Sequence, residues 1–229
     1  MTSIIGSDHG IPRKKFIKEV IFGANDGFVS ILALVAGVAG GTSDYAIIRL
    51  AGMAGIFAGT ISMGMGAYIA SKSEKEMYEK EIASEKEEFN LQPKKEKEEL
   101  YEIYRKKGFK GKLLHDVVKV ISSNKKVMLD VMLKEELGIE SDFKNPTKAG
   151  LLAGFSFFFA GLVPVFPFFL PLSHALFVSI FLTFGALFSV GAIKTHFTGR
   201  NIFSSGIETL IIGGIATLIT YGIGTLFGI

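Results

Sequence analysis

Residues 23–37 read GANDGFVSILALVAG, an apolar run that carries a single acidic side chain, Asp26. The run lies within a longer apolar stretch, and about 20 such residues are enough for a helix to cross a bilayer. Four more stretches of this kind follow along the chain. The sequence therefore predicts an all-α polytopic membrane protein with five transmembrane helices, at about Phe16–Gly41, Ala46–Ser71, Ala149–Leu170, Ala175–Ile193 and Ile202–Phe227.

The composition supports a membrane class and separates one charged block from the rest. The chain is 48% apolar with a mean hydropathy of +0.40, which is high for a soluble domain. Residues 72–146 hold 17 of the 25 basic and 17 of the 22 acidic residues. We therefore predict three segments: residues 1–71 with a short tail and helices 1 and 2, a helical insert over 72–146, and residues 147–229 with helices 3–5.

The same composition excludes several classes of function. The charged block is close to neutral, whereas a nucleic-acid-binding surface needs a basic face. The chain has no cysteine, which excludes disulfides and thiolate metal sites. The sequence also lacks a nucleophile–base arrangement, a Walker loop and a dinucleotide fingerprint. We therefore expect no enzyme activity, no nucleic-acid partner and no tightly bound cofactor.

Basic residues outside the block predict the orientation, because cytoplasmic loops are enriched in lysine and arginine. An N-inside topology places seven of them in the cytoplasm: Arg13, Lys14, Lys15, Lys18, Lys148, Lys194 and Arg200. It also makes the insert cytoplasmic and places the C-terminus outside. The N-terminal stretch lacks the pattern of a targeting segment, which favours a prokaryotic plasma membrane, with a vacuolar membrane as the eukaryotic alternative.

Within the insert, the pattern predicts helices rather than disorder. The second span can continue into residues 72–90 as one long helix, and Pro93 marks a break. A second helix ends near Gly108, and two amphipathic helices follow, the last of them closed by Gly138.

Asp26 is the strongest candidate for a site within the spans. It lies about 12 Å along a helix from Lys18, which is too deep for a short side chain to reach the headgroups. Small and polar residues recur with it at three- and four-residue steps: Gly23, Ser30, Ala33, Gly37 and Gly41. Intramembrane acids mark ion pathways, so we predict a cation or proton site. The alternative is a buried polar residue that fixes helix packing.

Two other acids are weaker candidates for the pathway. Glu19 and Glu208 lie near the predicted cytoplasmic ends of helices 1 and 5. They either contribute to the pathway or reach the headgroups as ordinary interfacial residues.

On the second span, Met63 shares a stripe with Gly52, Gly55, Gly59 and Gly66. A thioether is a soft ligand that suits transition metals, although most methionines within membranes serve packing.

In the insert, Glu99 and Glu102 share one helix face, and Met132 and Glu136 share another. Such a set can hold Fe²⁺, Mn²⁺ or Zn²⁺, but the alternative of a solvated charged face is favoured by the sequence alone.

At these residues the chain resembles the vacuolar iron transporter family of metal–proton antiporters. The matching segments are IFGANDGFVSILALVAGVAG (21–40), GTISMGMGAYIASKSEKEMYEKEI (59–82), VMLDVMLKEELGIE (127–140) and AGFSFFFAGLVPVFPFFLP (153–171). The resemblance implies a homodimer in the bilayer with the ion path at the subunit interface. It also implies export of Fe²⁺, often of Mn²⁺, from the cytosol in exchange for protons. The donor chemistry adds Zn²⁺ and Co²⁺ to the ions that the chain could bind or carry.

The resemblance assigns roles to individual residues. Asp26 matches the acidic position of the first-span motif, and Met63 lies in the second-span Ser-Met motif. Four residues match positions of the cytoplasmic metal-binding domain: Glu99, Glu102, Met132 and Glu136.

The chain departs from the family pattern at two places. The family has Gly-Glu-Tyr or Gly-Glu-Phe after the second-span motif, whereas this chain has Ala67 at the position of the glutamate. The insert also has Lys110, Lys112 and Leu113 in a region that usually supplies further glutamates. Two hypotheses follow: a divalent-metal exporter with altered selectivity, or a relative that has lost transport and acts as a membrane-anchored metal sensor or scaffold. A transporter for another cation or small solute is a third reading.

Overall fold

The computed structural model describes residues 16–135, 145–199 and 201–228, without the side chains of residues 196–198. The described residues form eight α-helices and one 3₁₀ helix, and they include no strand. The α-helices are α1 Ile17–Gly41, α2 Tyr45–Leu91, α3 Pro93–Lys106, α4 Gly111–Ser122, α5 Lys125–Glu135, α6 Pro146–Val165, α7 Ala175–Thr198 and α8 Ile202–Phe227. The 3₁₀ helix, Phe166–Phe169, follows α6 directly.

Five helical segments are long and apolar enough to cross a membrane, which confirms the predicted fold class. They are Ile17–Gly41, Tyr45–Leu91, Pro146–Phe169, Ala175–Thr195 and Ile202–Phe227. The chain divides into two compact units. We call residues 1–70 and 145–229 the membrane unit, and residues 71–144 the charged unit.

Helix α1 lies at the centre of the membrane unit, where Leu32, Val35 and Ala36 are fully buried. Its first half contacts α6, since a Cβ added to Gly27 would lie 2.5 Å from the carbonyl oxygen of Phe157. Its second half contacts α8, since a Cβ added to Gly37 would lie 3.1 Å from the carbonyl oxygen of Thr220. Small residues permit this approach of backbone to backbone, which holds helices together in lipid, where no hydrophobic force does so.

Helix α2 runs antiparallel to α1 and contacts it through a second set of glycines. Gly52 lies against Val35, and Gly55 lies against Leu34, the preceding residue of α1. Large side chains fill the space between these helices and α6. The buried cluster comprises Ile31, Leu32, Val35, Ile48, Ile56, Phe157, Val165, Phe168 and Ala175.

Prolines interrupt the third span. Pro164 lies inside α6, and the chain tightens to a 3₁₀ turn from Phe166 onwards. Backbone carbonyls at such a break need donors from neighbouring helices, because lipid supplies none. The hydroxyl of Ser179 donates to the carbonyl of Pro164 at 2.6 Å, and the hydroxyl of Tyr45 donates to the carbonyl of Leu172 at 3.0 Å.

The charged unit has a small apolar core of its own. Its buried side chains come from the end of α2 and from α3–α5: Phe89, Leu100, Leu114, Val118, Met128 and Met132. Gly108 follows α3 with a φ of 97°, a left-handed conformation that glycine adopts without strain. This glycine ends the helix where the sequence predicts. Gly138, the predicted end of the last helix, lies outside the described residues.

The backbone contact between α1 and α8 generates a first prediction. A Cβ added to Gly224 would overlap the carbonyl oxygen of Gly37, whereas a Cβ added to Gly222 would meet nothing within 4 Å. We therefore expect Gly224→Ala to lower the free energy of unfolding by about 1–3 kcal/mol, a cost typical of overpacking. Thermal unfolding in detergent, followed by size-exclusion chromatography, measures the change.

The matched control is Gly222→Ala, two residues earlier on the same helix. It should be neutral or slightly stabilising, because alanine has the higher helix propensity. Equal melting temperatures for the two variants would contradict the proposed close contact.

Candidate transport groove

A groove of about 440 Å³ runs along the membrane unit between α1, α2 and α6. We call it the Asp26 groove. Its lining residues are Phe22, Asp26, Ser30, Ile31, Leu34, Gly55, Gly59, Ser62, Met63, Gly66, Ala67 and Phe157. The groove thus brings together three of the predicted pathway residues, Asp26, Ser30 and Met63, although they come from two separate helices.

Asp26 and Ser30 face the groove because they lie four residues apart on α1 and share one helix face. The hydroxyl of Ser30 donates to the backbone carbonyl of Asp26, so it leaves the carboxylate unengaged. Within the described parts of the chain, no group donates a hydrogen bond to this carboxylate or forms an ion pair with it. Asp26 is half-buried, and its carboxyl group faces the groove.

Glycines on α2 give the groove its shape. The ring of Phe157 occupies the place that a side chain at Gly59 would take, so it forms the floor of the groove. The side chain of Leu34 likewise reaches the position of a Cβ at Gly55. Gly66 has no atom within 4 Å of an added Cβ, so the groove is open there.

The lining offers four donor groups to a cation: one carboxylate, two hydroxyls and one thioether, from Asp26, Ser30, Ser62 and Met63. Carboxylate and hydroxyl oxygens bind hard and borderline cations, whereas a thioether favours transition metals over Mg²⁺ or Ca²⁺. The donor set therefore suits a divalent transition metal as cargo. Sequence reasoning missed Ser62, although it lies three residues after Gly59 and four before Gly66 on the glycine stripe.

Ala67 lines the same groove as Asp26 and Met63. The resemblance to the iron transporter family implies a glutamate at this position, and a carboxylate there would share the groove with Asp26. Asp26 is consequently the one ionisable residue among the described residues that line the groove. The departure at Ala67 therefore lowers the charge of the groove itself.

The remaining pathway candidates lie elsewhere in the membrane unit. Glu19 is half-buried on α1, two turns before Asp26, and Glu208 is exposed on α8. Neither residue lines the Asp26 groove. Two glycines of the predicted stripes also turn away from it, since Gly23 contacts Ala153 and Gly52 contacts Val165, both on α6.

In the charged unit, the predicted metal-binding acids pair with basic side chains. Lys95 lies 3.3 Å from Glu99 and 3.4 Å from Glu88, and Arg105 lies 2.7 Å from Glu102. The ammonium group of Lys95 donates hydrogen bonds to Glu99 and Glu88, and these bonds raise the pKa of Lys95. These exposed pairs contribute little to stability. They place a basic side chain beside Glu99 and another beside Glu102.

The other two predicted metal ligands of the charged unit are Met132 and Glu136. Met132 is fully buried in the apolar core, and Glu136 lies outside the described residues. Among the residues that the structure describes, no three His, Cys, Asp or Glu side chains are grouped so that they could hold a metal ion. The metal-binding role of Glu99, Glu102, Met132 and Glu136 stays a prediction.

Comparison with known proteins gives a consistent assignment over most of the chain. A model of the VIT family matches residues 17–225. "Vacuolar iron transporter 1" of Oryza sativa subsp. japonica is 36% identical over 215 residues, which cover 90% of this chain and 85% of the relative. The protein of the same name from Tulipa gesneriana is 38% identical over 200 residues, with coverages of 86% and 81%. "Vacuolar iron transporter" of Toxoplasma gondii is 32% identical over 206 residues, with coverages of 85% and 68%.

Proposed function

The chain belongs to the VIT family, and we propose that it carries Fe²⁺ across a membrane in exchange for protons. The names of its relatives support iron as the cargo. The observation that carries the proposal is the Asp26 groove, in which one carboxyl group lies beside hydroxyls and a thioether within the spanning helices.

The same carboxylate gives a physical basis for exchange. A metal ion bound to Asp26 and a proton on its carboxyl group compete for the same oxygens. Because an isolated charge is costly in the membrane, the groove is most stable with one of the two bound. Each cation that leaves therefore favours uptake of the other, which couples the two movements.

We further propose the direction and the range of cargo. With the predicted N-inside topology, the ion moves out of the cytosol, into the extracellular space of a prokaryote or into the vacuole of a eukaryote. The soft Met63 and the hard Asp26 together also suit Mn²⁺, Co²⁺ and Zn²⁺.

The openness of the groove supports a homodimer. Phe22 is 60% exposed, and Ser62 is exposed as well, so the groove lies on the surface of the membrane unit. A carboxylate that faced acyl chains there would be costly. We propose that a second copy of the chain covers the groove and replaces lipid with protein and water around Asp26.

A second candidate function is a membrane-anchored metal sensor or scaffold that has lost transport. One observation favours it, namely that Ala67 leaves the groove with a single carboxylate per chain. The two functions differ in a flux assay, because a sensor binds metal without moving it.

The first test of transport is Asp26→Asn. An amide carries no charge and exchanges no proton, so we expect metal-driven proton flux to fall to the level of protein-free vesicles. Proteoliposomes with an internal pH dye measure this flux when Fe²⁺ is added. The control is Asp130→Asn, an exposed aspartate on α5, which should transport normally. Normal flux through the Asp26 variant would refute the central role of this carboxylate.

The second test restores the missing acid. We expect Ala67→Glu to lower the half-saturating Fe²⁺ concentration about tenfold, which corresponds to roughly 1.4 kcal/mol, because it adds a second carboxylate to the groove. Ala67→Gln is the matched control, with a similar volume and no charge. If both variants had the same half-saturating concentration, charge in the groove would not determine affinity.

The third test concerns the dimer. The chain has no cysteine, so a single introduced cysteine is the only thiol that a cross-linker can reach. We expect Phe22→Cys, at the groove, to form a cross-linked dimer in native membranes with a short bis-maleimide. Phe181→Cys on α7 is the control, because Phe181 is 76% exposed and does not line the groove. Equal yields from the two variants would argue against an interface at the groove.

A further inference from the structure

A second groove, of about 680 Å³, continues along α1 beyond the Asp26 groove. It lies between the end of α1, the start of α2 and the end of α8, and its lining includes Leu34, Gly37, Gly41, Thr42, Asp44 and Thr220. We call it the Asp44 groove. Asp44 is the one ionisable residue among its described lining residues.

Leu34 is the only described residue that lines both grooves. It follows Ser30 by one turn of α1 and precedes Gly37 by three residues, so it separates the two grooves along the helix. Its side chain crosses to α2, where its Cδ2 atom occupies the position of a Cβ at Gly55. The side chain is 37% exposed, so it projects into the opening rather than into the core.

We propose that Leu34 is an apolar gate between the Asp26 groove and the Asp44 groove, and this proposal rests on the proposed transport function. The gate is closed while the Leu34 side chain lies against Gly55. An apolar constriction stops ions because it excludes the water that a hydrated cation needs. Rotation of the side chain to another staggered rotamer would remove the constriction.

A carboxyl group lies at each end of this route. Asp26 lies on one side of Leu34, and Asp44 lies at the mouth on the other side. The Asp44 carboxylate accepts a hydrogen bond from the backbone N–H of Ala46 at 2.7 Å, so it also caps α2. Its negative charge lowers the energy of a cation that has passed the gate. The closed position of Leu34 requires glycine at position 55, because any side chain there would displace Leu34.

Thiol labelling tests the gate without depending on transport. The native chain contains no cysteine, so single cysteines report the accessibility of each groove without background. Thr42→Cys probes the Asp44 groove, and Ser62→Cys probes the Asp26 groove. An impermeant maleimide is applied to either face of reconstituted proteoliposomes, and the face from which Thr42→Cys reacts defines the Asp44 side.

With Leu34 in place, Ser62→Cys should resist labelling from the Asp44 side. In the Leu34→Ala background, its labelling rate from that side should rise at least about tenfold, since truncation opens the constriction. Gly55→Ala is the second variant, because its methyl group displaces the Leu34 side chain, and it should raise the same rate. Leu50→Ala is the control: Leu50 is 72% exposed and lines neither groove, so the rate should not change.

Three results would overturn the gate. The first is equal labelling of Ser62→Cys with and without the Leu34 side chain, and the second is an equal effect of Leu50→Ala. The third is failure of Thr42→Cys to react from either face, because the Asp44 groove would then hold no water. Loss of the proposed transport function is a separate result, seen as absence of Fe²⁺ flux through the native chain while labelling still depends on Leu34.

Discussion

The direct contact of the α1 backbone with two neighbouring helices is the constraint on which the rest of the membrane unit depends. Gly27 touches the backbone of α6, and Gly37 touches the backbone of α8 at Gly224. Lipid offers no hydrophobic force between helices, so close packing of this kind must hold the bundle together. A side chain at any of these glycines would separate helices that define the position of α1.

With two of its faces in backbone contact, α1 has only one face left for polar residues. That face carries Asp26 and Ser30, which line the Asp26 groove. Gly37 and Gly41 lie at the contact with α8 and also line the Asp44 groove. Helix α2 borders both grooves, and Gly66 leaves the Asp26 groove open at one point. The packing constraint and the candidate pathway are therefore two consequences of the same distribution of small residues.

The sequence was sufficient to predict the five spanning helices, because length and apolarity determine them almost alone. Three- and four-residue spacing also grouped Asp26 with Ser30 on helix 1, and Met63 with the glycines of helix 2. Spacing within one helix did not show that these two faces line the same groove. The sequence did not predict Phe157 as the floor of the groove, since that contact joins residues almost a hundred positions apart. In the charged unit, spacing placed Met132 on a helix face, but only tertiary packing turns that face into the apolar core.

Under the proposed function, the donor set of the Asp26 groove balances binding against release. A pathway must attract its ion strongly enough to admit it and weakly enough to let it leave. With Ala67 in place of an acid, electrostatic attraction comes from Asp26 alone, which favours release over tight binding. Discrimination against the abundant Mg²⁺ then depends on Met63, because a thioether adds nothing to the binding of a hard cation. Selectivity thus depends on Met63 of α2, whereas affinity depends on Asp26 of α1.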